Sequence, residues 1–162
     1  VPSSKDQKSI IGLELLASLL VDGRNSILGR PLKEEQSLVE SIYVDLNVGE
    51  FGSLMILEAC CINKNVDLVE EAINKLLKNL VNFENYSIDE LYKAQKIVKS
   101  NYFYNLETAS QQSSFFGNHL LWGRKYPIKN LEKNLKFWNN KKNFKYIINF
   151  LAHKKYTLLA YG

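Results

Sequence analysis

Few residues in this chain are of a type that could do chemistry alone, and their spacing argues against it. His119 lies in "GNHLLWG" and His153 in "LAHKKYT", far apart and each without an acidic residue at metal-ligand spacing. A zinc site built within the chain is therefore not expected. Cys60 and Cys61 are the only cysteines. Neighbours in a strand point to opposite faces, so a bridge between them is geometrically poor, and two free, buried thiols are expected. No basic partner lies near them in sequence, so neither reads as an activated nucleophile, and the pair leaves the redox compartment open. "VGEFG" at Val48–Gly52 opens a strand and lacks the Lys-Ser or Lys-Thr that a phosphate loop requires.

Charge is unevenly distributed. Residues 1–123 carry 11 basic and 16 acidic side chains, whereas residues 124–155 carry ten basic side chains and a single acid, Glu132. Lys129, Lys133, Lys136, Lys141, Lys142 and Lys145, interleaved with Phe137, Trp138 and Phe144, could in principle attract nucleic acid or an acidic protein. At helical spacing these aromatics more often fill a core, so nucleic acid is not the expected partner.

These groups must be positioned by a chain of 162 residues, 46% of them hydrophobic, which suffices for one substantial core. We expect one domain over 1–162. No run of about 18 uncharged apolar residues occurs, because Glu14, Asp22 and Glu58 interrupt the longest candidates, so no membrane span is expected. No signal peptide is read, and a start at Val1 rather than Met suggests a piece of a longer polypeptide.

Ser4 and Gln7 fit a capping box for a first helix through Leu13, Leu16, Ala17 and Leu20, stopped by Gly23. Gly12 within that helix suggests a close approach to a sheet. Pro31 divides Ser26–Ser37 into two short helical pieces. From Ser41 the period becomes two, with Ile42, Val44, Leu46 and Val48 on one face. A turn at "VGEFG" leads to a second strand over Ser53–Ile62, apolar on both faces apart from Glu58, and an antiparallel hairpin follows. Val69, Ile73, Leu76, Leu77 and Leu80 mark a helix. "SIDE" at Ser87–Glu90 caps a long helix running toward Phe116, and two helices follow, marked by Leu131 and Leu135 and by Phe144, Ile147, Ile148 and Leu151. "YTLLAYG" from Tyr156 reads as a closing strand. The class is α+β, a mainly antiparallel sheet with a layer of helices packed on it.

This order of elements, with "VPSSKD", "LLASLLVDGRNSIL", "LKEEQSLVESIYVDL", "FGSLMILEACCINKNVDLVEEAI" and "SIDELYKAQKIVKSNYFYNLETASQQSSFFGNHLLWG", resembles the second subdomain of one half of the insulinase/pitrilysin (processing-peptidase-like) zinc metallopeptidases. The resemblance spans nearly the whole chain but rests on degenerate positions in register. It implies the metallohydrolase-like fold of that family, and a parent clamshell of two homologous halves, each of two such subdomains, enclosing a peptide substrate bound partly by strand addition. Zinc is implied in the adjoining catalytic subdomain, on an inverted H-x-x-E-H helix that this chain lacks. The chain is accordingly expected to be inactive alone, with no catalytic or metal-binding residues of its own.

Many members also carry a substrate-facing Arg and Tyr pair, whose positions fall here on Lys33 and Glu40. A carboxylate at Glu40 would repel a developing oxyanion rather than donate to it. Two placements remain open: the second subdomain of the zinc-bearing half, toward which "KEEQSLVES" leans, or a degenerate half with a purely structural or assembly role. The partners implied are neighbouring subdomains or a homologous half of the clamshell.

Overall fold

The computed structural model describes residues 2–81, 86–124, 126–152 and 156–161. Its organising element is α1 (Gln7–Val21), in which 12 of the 15 residues are buried. A helix apolar around its circumference is stable only when surrounded, and α1 is packed by the first strand of the hairpin and by three later helices. The strands β1 (Ser41–Asn47) and β2 (Leu54–Cys60) form an antiparallel hairpin with Val44 opposite Leu57. Then come α2 (Val66–Val81), α3 (Ile88–Tyr104), α4 (Ala109–Leu121), α5 (Pro127–Trp138) and α6 (Lys141–Ala152). α1 packs against α3, α5, α6 and β1, while α2 packs against α6. Helices on one face of a small antiparallel sheet make the α+β class expected from the sequence.

Several boundaries differ from expectation, each for a local reason. The cap of α1 is Asp6, whose carboxylate accepts from Ser9 N at 3.1 Å. Gln7 instead turns its side chain across the fold, where Nε2 donates to Pro127 O at 3.1 Å. Arg30–Glu35 winds as one short π-helical turn, closed by Gln36 N donating to Pro31 O at 3.1 Å. Pro31 has no amide hydrogen, so the regular ladder is interrupted there. Ser37 at φ 50° then redirects the chain into β1. The expected long helix is two, because Thr108 and Gln111 build a second capping box as complete as the one formed by Ser87 and Glu90.

The sheet is smaller and more open than expected. Tyr156–Tyr161 is exposed and pairs with neither strand among the described residues, so no closing strand forms there. It is held instead by Tyr156, whose hydroxyl donates to Glu70 Oε1 at 2.7 Å and accepts from Asn74 Nδ2 at 2.9 Å on α2. Nor is Pro2–Ser3 a strand; Ser4 N donates to Gly49 O at 2.8 Å, fastening the N-terminal segment to the hairpin turn. On β1, Ile42, Val44 and Leu46 face the core as predicted. β2 is not buried on both faces: Met55 and Leu57 pack inward while Leu54, Ile56, Glu58 and Cys60 are exposed. Consequently Cys60 is exposed and Cys61 half-buried, free but not buried thiols.

Gly12 permits the close approach around α1, but to helices rather than to the sheet. A Cβ there would lie 2.7 Å from Ile147 Cγ1 and 2.9 Å from Trp138 Cε2. Trp138 is fixed by Nε1 donating to Lys8 O at 2.8 Å, so its ring cannot easily retreat. Gly12→Ala should gain roughly 1 kcal/mol of helix propensity yet lose about 1–3 kcal/mol to overpacking. A lowered thermal midpoint is therefore the expected result, and an unchanged or raised one would show that α5 and α6 can move away freely.

Candidate functional site

Glu14 is the one acidic residue within α1, and the fold surrounds it with polar groups from three directions. Tyr102, near the end of α3, donates from its hydroxyl to Glu14 Oε1 at 3.3 Å. His119, the one fully buried residue of α4, stacks on Phe115 with ring centroids 4.3 Å apart and meets Trp122 edge-on at 5.7 Å. Arg124 follows the helix stop at Gly123, whose φ of 71° turns the chain inward. Its Nε donates to Ser4 O at 2.7 Å, and its guanidinium lies 4.8 Å from the Trp122 ring centre. These groups line a cleft of about 360 Å³ between α1, α3 and α4.

The electrostatics follow from burial. Burial pushes the Glu14 carboxyl up to about 7, against the opposing pull of the Tyr102 hydrogen bond and the Arg124 charge. Burial, helped by Arg124, pushes His119 down to about 4, so its ring is neutral. Tyr102 is raised by burial and by Glu14, while burial lowers Arg124. Among the described residues the ion pairs are Lys5–Glu50, Arg30–Glu35 and Lys99–Glu132, so Glu14 and Arg124 are not joined within 4.0 Å. Glu14 Oε2, His119 Nδ1 and Arg124 Nη2 are buried and have no hydrogen-bond partner among the described residues.

None of these four was singled out as a site from sequence. The one available signal was Glu14, an acid inside an otherwise apolar helix; its partners are separated from it by some 90 to 110 positions, and no local pattern links them. The residues that were singled out lie elsewhere. Lys33 is exposed in the π-helical turn, and Glu40 is exposed at the entry to β1, where Cys60 Sγ approaches Glu40 Oε2 at 3.9 Å. His153 lies outside the described residues. Among the described residues no group of three or more His, Cys, Asp or Glu side chains could hold a metal ion, so those present do not fit a zinc site. No helix among them is long and apolar enough to cross a membrane.

The lysines of the C-terminal third line the solvent faces of α5 and α6. Trp138 and Phe144 are 2% and 0% exposed, which removes them from any base-stacking surface. Phe137 stays exposed, with Lys8 Nζ 3.3 Å from the ring centre.

Glu14 and His119 give opposite pH trends. The folded chain holds the Glu14 proton more tightly than the unfolded chain, so this contribution is full below about pH 4.5 and lost as pH rises through about 7. The neutral His119 contributes above about pH 6.5, and that contribution is lost as pH falls through about 4. The Glu14→Gln chain should therefore gain stability over the parent as pH rises from about 5 to about 8, by up to roughly 3 kcal/mol. Denaturant titrations across that range measure it; a difference that does not change with pH would mean that Glu14 is ionised throughout.

No curated protein matches the sequence. Among solved structures, a protease from Helicobacter pylori superposes with a TM-score of 0.78 at 19% identity, over 93% of this chain and 36% of that one. The chain thus spans little more than a third of that protease, and at this identity the likeness establishes the fold. The sequence itself matches the family described as "Peptidase M16 inactive domain" over residues 1–98, more than half its length. On that match, in agreement with the peptidase resemblance in its sequence and with the fold of a solved protease, the chain belongs to the peptidase M16 inactive-domain family.

Proposed function

We propose that this chain is a supporting, non-catalytic subdomain of a longer zinc metalloendopeptidase of the insulinase/pitrilysin type. In this reading it walls a clamshell chamber in which a peptide is hydrolysed, and it packs against the subdomain that carries the zinc. The observation that carries the reading is the match to an inactive domain of a peptidase family, and the lack of a metal-holding group among the described residues is consistent with it. Hydrolysis by a zinc-bound water needs ligands and a general base held together, and the described part of this chain offers neither.

The exposed positions of Lys33 and Glu40 support only a peripheral role for them. In the proposed chamber they would lie where many members present an Arg and a Tyr, with a cation retained at Lys33 and the oxyanion donor replaced by an acid at Glu40. Partners are the neighbouring subdomains or a homologous half.

A peptidase assay on the full-length gene product decides the matter. Hydrolysis that a chelator abolishes and added zinc restores is expected there, while the 162-residue chain, supplied with zinc, should leave the same peptides intact. Hydrolysis by the short chain would overturn the supporting role. A full-length product that binds no zinc and cleaves nothing would replace the peptidase by a structural subunit.

A further inference from the structure

We propose that the cleft between α1, α3 and α4 is a binding site for a small monocarboxylate with an apolar body, its carboxylate received by Arg124 and its body by the aromatic wall. Three observations converge on this. First, Arg124 Nη2 is buried with no partner among the described residues, and the guanidinium is held by Nε on Ser4 O together with the Trp122 face. A buried cation with a free donor is costly to leave unmatched, and a carboxylate satisfies it through the fork geometry of arginine.

Second, Glu14 Oε2 and His119 Nδ1 are likewise buried and unpaired among the described residues. Burial keeps Glu14 protonated up to about pH 7, so below that pH it offers a hydroxyl donor rather than a second negative charge. The groups facing it are the Tyr102 hydroxyl from α3, His119 from α4 and Arg124 from the segment after α4. Of these only Arg124 is charged at pH 6, and the carboxylate of Asp6 at the α1 cap also acts on its guanidinium. Third, about 360 Å³ bounded by Tyr102, Phe115 and Trp122 exceeds what a lone water needs and suits a ring or short aliphatic chain.

Isothermal titration at pH 6 with benzoate, and with benzyl alcohol as its uncharged counterpart, tests the proposal on the 162-residue chain. Saturable benzoate binding is expected, with benzyl alcohol weaker by about tenfold or more. Arg124→Gln should weaken benzoate by at least about tenfold, and Arg124→Lys should recover part of it. Because Arg124 is buried, a second variant guards against misfolding: Ser114→Trp, at an exposed position of α4 on the rim, should block the cleft while leaving the circular dichroism unchanged. Absence of saturable benzoate binding, equal binding of both probes, or binding that survives both Arg124→Gln and Ser114→Trp would each overturn the site. None of these results depends on peptidase activity, so the proposal stands or falls separately from the supporting role.

Discussion

Burial of α1 on nearly every side is the constraint from which the remaining architecture follows. A helix with Ile10, Ile11, Leu13, Leu15, Leu16, Leu19 and Leu20 all essentially inaccessible needs partners around its whole circumference. β1 covers one side, α3 another, and the α5–α6 pair closes over Gly12. The glycine lets the Trp138 ring and Ile147 come within contact of the α1 backbone, and the Trp138 Nε1 bond to Lys8 O fixes the elbow at that distance. The basic C-terminal third therefore serves the fold through its apolar stripes: Leu131, Leu135, Phe144, Ile147 and Ile148 belong to the same core as α1, and the lysines occupy what is left over.

Within that apolar enclosure, one polar column is maintained at the middle of α1. Glu14, Tyr102 and the His119–Arg124 pair come from three separate parts of the chain, and each group is shifted away from its ordinary titration in the direction burial dictates. Replacing such a group by an apolar side chain of similar size is often neutral or stabilising, so stability alone does not account for a column with three atoms unmatched among the described residues. It also shapes α4, which touches the body chiefly through Phe115 and His119 and otherwise faces solvent. An element held by so few buried contacts lies toward the low-stability end of a fold.

Much of the element order was legible in the sequence because it rests on local chemistry. The Ser87–Glu90 box, the Gly23 stop at φ 79° and the alternation of Ile42, Val44 and Leu46 all act within a few residues. Signals were misread where two local patterns competed, as when the Thr108–Gln111 box was overridden by continuous helical periodicity from Leu91 onward. They also failed where the outcome depends on what lies across the fold. The period of β2 cannot reveal that one of its faces is uncovered, and "YTLLAYG" has strand composition without a paired edge among the described residues. Gly12 announced a close approach, but nothing local could say that helices, not strands, would make it.

The candidate cleft illustrates that same limit at the level of chemistry. Sequence reading favours residues clustered by spacing, and so it weighed His119 for a metal and Lys33 and Glu40 by register with a family. The folded chain assigns His119 a different setting, a neutral ring packed against Phe115 and edge-on to Trp122 beside an arginine. A cation that lowers the basicity of a neighbouring imidazole works against metal ligation, where a carboxylate partner would promote it. Burial is the larger cause of the neutral His119 ring, and the same arginine adds to it while bringing a positive charge to the cleft. In this member of a peptidase inactive-domain family, the left-handed turn at Gly123 places Arg124 beside the neutral His119 ring, with Nη2 unmatched among the described residues.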